Sequence, residues 1–126
     1  MIDTSLYNYS DSRLKDLYKH LKLSGFNVYM PGTKYGDCKT PYVEVKSYGL
    51  VNVPGTSSKS SLYIVMCYVP KKSYSELEKL VEDVKKAMYE IKPMFIESGI
   101  ETPSFYDDSI KAHMISIQYR NSRKMY

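Results

Sequence analysis

The residues best suited to acid–base chemistry are two histidines, His20 and His113, which lie far apart in the sequence. A serine or cysteine nucleophile needs a base and a third group that orients it. Neither histidine has such partners at a recognisable spacing. His20 lies beside Lys19 and Lys22, off the apolar stripe of its predicted helix, so we expect it to be solvated. The sequence predicts no catalytic residue and a protein that is not an enzyme.

Metal and phosphate sites are not favoured either. The sequence contains no H-x-x-x-H, C-x-x-C or D-x-D-x-D-G spacing, the patterns that structured metal sites use. Asp107 and Asp108 form an isolated acidic pair, for which a role in a turn or a helix cap is more common. Residues 54–60 (PGTSSKS) lack the spacing of a phosphate-binding loop and follow no βα unit. We therefore expect no cofactor.

The two cysteines lie in different surroundings. Cys38 is in a polar, loop-like stretch and Cys67 is in the most apolar strand-like stretch. No signal-peptide pattern begins the chain and no apolar run approaches the length of a membrane span. We expect assembly in the cytoplasm, no membrane partner, and two reduced thiols, one exposed and one packed.

Charge and tyrosine content bear on the class of partner. The net charge is +4, and three of the 18 basic residues are arginines, the side chain that nucleic-acid sites favour. The 14 tyrosines suit surfaces that become interfaces, or reflect AT-rich coding. Tyr63 and Tyr68 lie on one predicted strand, as stacking aromatics do in RNA-binding sheets. The signature of such sheets is absent, so core or interface packing is preferred, and no specific nucleic-acid partner is expected.

Hydrophobic periodicity predicts six elements in one domain, 1–126. The predicted helices are 11–24, which Gly25 ends, and a helix that starts with a capping box at Ser73–Glu76 and stops at Pro93. The predicted strands are 26–30, 42–46, 62–69 and 112–120. The order α-β-β-β-α-β indicates an α+β fold, in which both helices pack on one face of a mostly antiparallel sheet.

The connections are predicted from the lack of periodicity. Residues 47–61 are expected to form a long loop, whose residues 50–60 are mobile in the free subunit and ordered in an assembly. Residues 94–110 are expected to be a loop with a short extended piece near Ile100. The tail, 121–126, is basic and is expected to be loose.

The predicted strand 62–69 is apolar at every position, so both of its faces must avoid water. Two helices cover one face, and the other is expected to bury Tyr, Val and Cys side chains against another subunit. The candidate residues for contact with a subunit or a tube are Tyr48, Leu50, Val51, Val53, Lys59, Tyr63 and Tyr68.

Five segments carry a resemblance to a known family. They are RLKDLYKHLKLSGFNVY (13–29), PYVEVKSYG (41–49), SLYIVMCYVP (61–70), SYSELEKLVEDVKKAMYEI (73–91) and HMISIQYR (113–120). In these segments, their order and the size of the chain, the sequence resembles the tail terminator, or tail completion, proteins of tailed bacteriophages and phage-tail-like bacteriocins. The family has no invariant catalytic motif, and no individual binding residue carries over.

The resemblance implies a virion protein. It would form a homohexameric ring on the head-proximal end of the tail tube, stop tube growth and offer a surface to the head. The implied partners are other copies of the chain, the tail tube protein, the head connector protein and, as a further option, the sheath. The alternatives are a head–tail connector or neck protein and, in another class, a small nucleic-acid-binding α+β domain.

Overall fold

A computed structural model describes residues 4–52, 59–92 and 94–121; for residues 4–12, 51, 52 and 59 it describes the backbone alone. The chain forms, in order, α1 (Thr4–Leu23), β1 (Val28–Tyr29), β2 (Tyr42–Asn52), β3 (Lys59–Pro70), a 3₁₀ helix (Lys71–Glu76), α2 (Leu77–Tyr89), β4 (Ile96–Glu101), β5 (Phe105–Asp107) and β6 (Ala112–Asn121). No helix in these ranges is long and apolar enough to cross a membrane.

The six strands form one sheet in the order β1-β2-β3-β6-β4, and β5 also pairs with β6. The β1–β2 pair is parallel and every other pair is antiparallel. Side chains of α1 and α2 share a single core with one face of the sheet. The predicted α+β class is therefore confirmed, with a mostly antiparallel sheet and both helices on one face.

The predicted order of elements is incomplete after α2. Three strands follow that helix instead of one, because β4 and β5 occupy most of the predicted loop 94–110. The sequence of β4, IESGIE, has a glycine and two glutamates in six positions, so its alternation is weak. A register shift also interrupts its pairing with β6. β5 has three residues, too few to show a period.

The end of α1 follows the predicted glycine signal. Gly25 has φ 99°, a left-handed conformation that glycine adopts without strain. Its N–H donates to Lys22 O and the Phe26 N–H donates to Leu21 O. This pair of bonds is the Schellman motif, and it turns the chain from the helix into β1.

The predicted capping box at the start of α2 is wrong. Lys71–Glu76 form a 3₁₀ helix in which Ser73 has φ −114° and ψ 29°. The α-helix itself begins at Leu77, and no side chain caps it. The predicted helix itself is present, and its apolar residues at helical spacing, Leu77, Val81, Val84 and Met88, are all buried against the sheet.

The predicted long loop at 47–61 is also wrong at both ends. β2 and β3 stay paired as far as Asn52 and Lys59, with a bulge after Ser47. Ser and Lys side chains interrupt the alternation of apolar residues here, but hydrogen bonding between the strand backbones does not depend on side-chain type. The remaining loop residues, 53–58, lie outside the described residues. At the C-terminus, Asn121 belongs to β6 and donates to Met94 O at 2.7 Å, whereas 122–126 lie outside the described part of the chain.

A second, smaller cluster lies on the other face of the sheet, at one end. It consists of Cys38, Tyr42, Tyr68, Ala112 and Met114. The segment that carries Cys38 is held there because the Cys38 N–H donates to Ile110 O at 2.7 Å. Cys38 is therefore buried, contrary to the predicted exposed thiol, whereas Cys67 is packed as predicted; neither forms a disulfide.

Candidate interaction surface

Side chains along β3 alternate between the two faces of the sheet. Those that face the helices are all buried: Tyr63, Val65, Cys67 and Val69. Leu62, Ile64 and Met66 point the other way and are half-buried. Their cross-strand neighbours are largely polar, since Ile64 lies between Lys46 of β2 and Gln118 of β6. We call the surface centred on Leu62, Ile64 and Met66 the open face.

Two glycine bulges shape the borders of the open face. Gly49 in β2 and Gly99 in β4 have φ 93° and 87°, and each sits at a shift in strand register. Tyr48 and Ile100, next to these glycines, line a hollow together with Ile64. This hollow has a volume of about 120 Å³ and is lined by Tyr48, Ile64, Ile100, Thr102, Ser116 and Gln118. A hollow of this size and character fits an apolar side chain from another molecule.

The sheet also has two outer edges. β1 pairs with β2 at Val43 and Glu44, and within the described ranges no strand pairs with residues 45–52 on that side. On the opposite edge, β4 and β5 lie end to end along β6. Unpaired strand edges present backbone donors and acceptors that another strand can satisfy.

Each edge carries two large apolar side chains in water. Tyr48 and Leu50 of β2 are 56% and 64% exposed, and Ile100 and Phe105 of β4 and β5 are 55% and 48% exposed. Single exposed apolar residues are common on protein surfaces. Pairs of them on both borders of a half-apolar face are more typical of a contact surface.

The predicted contact residues divide into three groups. Tyr48 and Leu50 lie on the β2 edge, at the surface, as a contact requires. Val51 and Lys59 lie in the paired ends of β2 and β3, but their side chains, like all of Val53, are outside the described residues. Tyr63 and Tyr68 are buried, so they cannot form a surface contact, and their assignment was wrong.

Different packing buries these two tyrosines. Tyr63 faces the helices, where its ring meets Phe95 edge-on at 5.3 Å. Tyr68 faces the other way and stacks on Tyr42, with the ring centroids 4.7 Å apart. Burial, and then the nearby Glu44 carboxylate, raise the pKa of Tyr68 to about 12. Neither ring can stack on a nucleic-acid base.

Sequence reasoning missed the apolar residues that do reach the surface. It expected Tyr, Val and Cys on the uncovered face, but the parity of β3 places Leu62, Ile64 and Met66 there. A strand that is apolar at every position gives no sign of which parity faces the helices. Ile100 and Phe105 were missed because their short strands were predicted as loop.

Both histidines are bonded to backbone carbonyls. His20 Nε2 lies 2.6 Å from Ala87 O, near the end of α2, so His20 links the two helices and is not the solvated side chain that was predicted. His113 Nε2 lies 3.1 Å from Lys71 O, and its ring packs between Tyr74 and Tyr106. Neither contact includes a serine or cysteine nucleophile.

The acidic pair forms a turn, as predicted. Asp107 Oδ1 accepts hydrogen bonds from the Ser109 N–H at 3.0 Å and the Ser109 hydroxyl at 2.6 Å. Asp108 Oδ1 lies 3.0 Å from Lys111 Nζ. Across the described ranges, no three His, Cys, Asp or Glu side chains come together in a way that could hold a metal ion.

Comparisons with known proteins add little. No protein-family model and no curated protein matches the chain. One solved structure aligns over 100% of both chains at 14% sequence identity, with a TM-score of 0.44. A superposition this loose carries no argument about fold or function.

Proposed function

We propose that this chain is a structural virion protein that closes the head-proximal end of a phage or phage-like tail tube as a ring. One observation carries the proposal: large apolar side chains are exposed on both edges of the sheet, on either side of a half-apolar open face. A chain that assembles with copies of itself can cover such surfaces. The resemblance of five sequence segments to tail terminator proteins supports the choice of assembly.

The main alternative from another class, a nucleic-acid-binding domain, keeps the positive net charge of +4 but has lost its aromatic support. A nucleic-acid-binding sheet needs exposed aromatic rings on its strands. Tyr63 and Tyr68 were the candidates for that role, and both are buried. Tyr48 is exposed and lines a hollow on the open face together with Ile64 and Ile100. This setting suits a protein partner better than a phosphate backbone.

In the proposed role the ring ends tube growth by occupying the surface to which the next tube subunit would add. Each copy must then contact two neighbours through two different surfaces, because a ring is a head-to-tail assembly. The two unlike edges of the sheet supply two such surfaces. The contacts with the tube and the head connector are not assigned to individual residues.

The test places a charge on the β2 edge in particles that assemble with the variant chain. Tyr48→Asp puts a carboxylate where the proposal expects a buried ring, which costs several kcal/mol if the contact is dry. We expect tails of uncontrolled length or tails without heads, scored by electron microscopy. Tyr35→Asp is the matched control, because Tyr35 is 80% exposed in the loop between β1 and β2, outside the paired strands, and should give normal particles.

The position of the chain in the particle completes the test. Antibody labelling should find the unmodified chain at the head-proximal end of the tail. Normal particles from Tyr48→Asp, with the chain absent from that end, would contradict the proposal. Tails of normal length that fail to join heads would indicate a neck protein instead.

A further inference from the structure

The two edges of the sheet differ in a way that suits pairing between copies. We infer that neighbouring subunits join by strand addition, in which residues 45–52 of β2 in one copy pair with β4 of the next. The second copy would thus extend the sheet of the first. This inference rests on the proposed function for the ring, but the contact itself can be tested separately.

Hydrogen bonding shows which β2 groups are available. The Val43 N–H donates to Asn27 O at 2.8 Å, on the β1 side. Backbone groups alternate along a strand, so the N–H groups of Val45 and Ser47 point to the same side. The parallel pairing of Tyr29 with Glu44 directs the Val45 N–H to Tyr29 O, whereas Ser47 lies beyond the end of β1. The Lys46 N–H points the opposite way, toward Ile64 of β3. Ser47 therefore lies at the free edge with a donor that the ladder with β3 does not use.

Strand direction fixes the orientation of the contact. β2, β3, β6 and β4 are neighbours in that order and each pair is antiparallel, so β2 and β4 run in opposite directions. When a second copy continues the sheet with the same face outward, its β4 lies antiparallel to β2 of the first. Antiparallel ladders are the slightly more stable type. The sheet can therefore extend from copy to copy without inverting a subunit.

Charge favours pairing of unlike edges over pairing of like edges. Lys46 is the one charged residue in residues 45–52, whereas β4 carries Glu97 and Glu101. Two β4 strands side by side would bring four carboxylates together, and two β2 edges would bring two lysines together. Like charges across a strand pair are destabilising. A β2 edge beside a β4 edge avoids both repulsions. Lys46 lies on the open face with Ile64, whereas Glu97 and Glu101 lie on the helix side of the sheet, beside Lys85 of α2.

The area of the contact indicates when it forms. An aromatic side chain buries about 150–250 Å², whereas a stable contact needs about 800 Å² from each partner. Each edge offers one strand and two side chains that are about half-exposed. This is less than a lasting dimer needs, so we expect the pairing to be weak in solution and stable where a closed ring or the tube end holds several copies together.

Cysteine cross-linking tests the pairing directly. One copy carries Tyr48→Cys and a second, distinguishable by a tag, carries cysteine in place of Ile96, Ser98 or Ile100, which samples the register. Within one subunit β2 and β4 are three strand spacings apart, about 14 Å, too far for a disulfide. Any new disulfide between these positions therefore joins two copies, and the buried Cys38 and Cys67 serve as the unmodified background.

We expect at least one of the three combinations to give a mixed dimer, both in assembled particles and in concentrated purified protein. Homodimers of Tyr48→Cys in place of mixed ones would show that like edges pair, and would overturn the inference. Particles that contain the ring but give no mixed dimer would also overturn it, and would leave the proposed function standing. Mixed dimers of a chain that is absent from tails would support the contact and contradict the proposed function.

A proline pair provides a second test that separates the contact from folding. Ser47→Pro removes the N–H at the free edge, which neither β1 nor β3 uses, and proline is tolerated on edge strands. We expect an unchanged thermal unfolding temperature and about a tenfold loss of cross-linking, the value of one hydrogen bond of about 1.4 kcal/mol. Lys46→Pro is the control, because it removes a bond to β3 and should lower the unfolding temperature. Ser47→Pro with undiminished cross-linking would overturn the inference.

Discussion

The two faces of the sheet differ although they share the same strands. On the side of the helices Val65 and Ile117 are fully buried, and they pair directly across β3 and β6. One position away on β3, Ile64 is half-buried beside the polar Gln118. The covered face thus holds the subunit together, whereas the open face keeps apolar area in water that a partner can remove.

This contrast explains why β3 is apolar at every position of 62–69. A strand with one wet face normally alternates between apolar and polar residues. In β3 the helices cover the side chains on one face of the sheet, and the Cys38 cluster covers Tyr68 on the other face. Leu62, Ile64 and Met66 remain without full cover inside the subunit. An uninterrupted apolar strand in a small domain therefore predicts a second contact, but not the residues that make it.

The largest expected effect on stability comes from a matched pair of truncations, one on each face of the sheet. Ile117→Ala removes a side chain with no exposure, and such changes typically cost about 2–5 kcal/mol. Ile64→Ala makes the same change on the open face, where part of the side chain is already in water. We expect it to cost less than half as much, measured by urea unfolding of the monomer.

The assembled state should reverse this ranking. Ile64→Ala should weaken ring formation more than it weakens folding, because it removes apolar area from the hollow beside Tyr48 and Ile100, which an assembly would cover. Equal unfolding costs for the two variants would show that the open face is as well packed as the covered one. That result would remove the physical basis for a contact there.

The two cysteines allow the faces to be compared by titration. Burial raises the pKa of the Cys67 thiol on the covered face from 9.0 to about 12. Burial also raises the pKa of Cys38, under its loop on the other face, but the charge of Lys34 opposes the shift. Both thiols should resist alkylation near neutral pH, since the thiolate is the reactive form. Cys38 should react first, because opening its loop exposes it while Cys67 needs global unfolding.

The shifted pKa of Cys67 also predicts how stability depends on pH. Above pH 9.0 the unfolded chain loses the thiol proton, whereas the folded chain keeps it to about pH 12. The unfolded state then binds fewer protons, so the free energy of unfolding falls as pH rises through this window, by about 1.4 kcal/mol per pH unit. Between about pH 9 and 10, Cys67→Ala should flatten this slope while Cys38→Ala changes it less. An unchanged slope in Cys67→Ala would show that this thiol is not dry in the folded state.

The same contrast shows what could be predicted from the sequence. The helices and the central strands were predictable because their apolar residues recur with the period of the element. The stripe of Val81, Val84 and Met88 is an example. The extra strands were not, because β4 is held by backbone pairing with β6 and has a glycine bulge in its middle. Residue type gives no period in such a segment.

Assignment of the contact residues failed for a related reason. Tyr63 and Tyr68 looked suited to an interface because tyrosine is, but their place in the structure depends on long-range packing against Phe95 and Tyr42. Tyr48 and Leu50 were predicted to reach the surface because they lie in residues 47–61, where apolar residues show no regular spacing. Which strand lies at the edge of a sheet depends on the pairing of all its strands, so it cannot be predicted from one local segment.

The smallest expected effect lies where α2 meets the β4 edge. Lys85 Nζ lies 2.5 Å from Glu101 Oε1 and 3.9 Å from Glu97 Oε1. The hydrogen bond with Glu101 raises the pKa of Lys85, against the effect of partial burial. All three side chains are more than a third exposed, so the ion pairs should contribute at most about 1 kcal/mol to folding.

Lys85→Met keeps the aliphatic stem and removes the charge, so it isolates this contribution. We expect the free energy of unfolding to fall by less than about 1 kcal/mol, and the difference to shrink in high salt. Its effect on assembly should be small, because Glu97 and Glu101 lie on the helix side of the sheet, whereas a neighbour's Lys46 would lie on the open face. Cross-linking of Tyr48→Cys to the β4 cysteines should therefore be the same as without Lys85→Met, at low and at high salt. A salt-dependent change would show that the β4 carboxylates take part in the contact, and the placement of the two charged groups on opposite faces would be wrong.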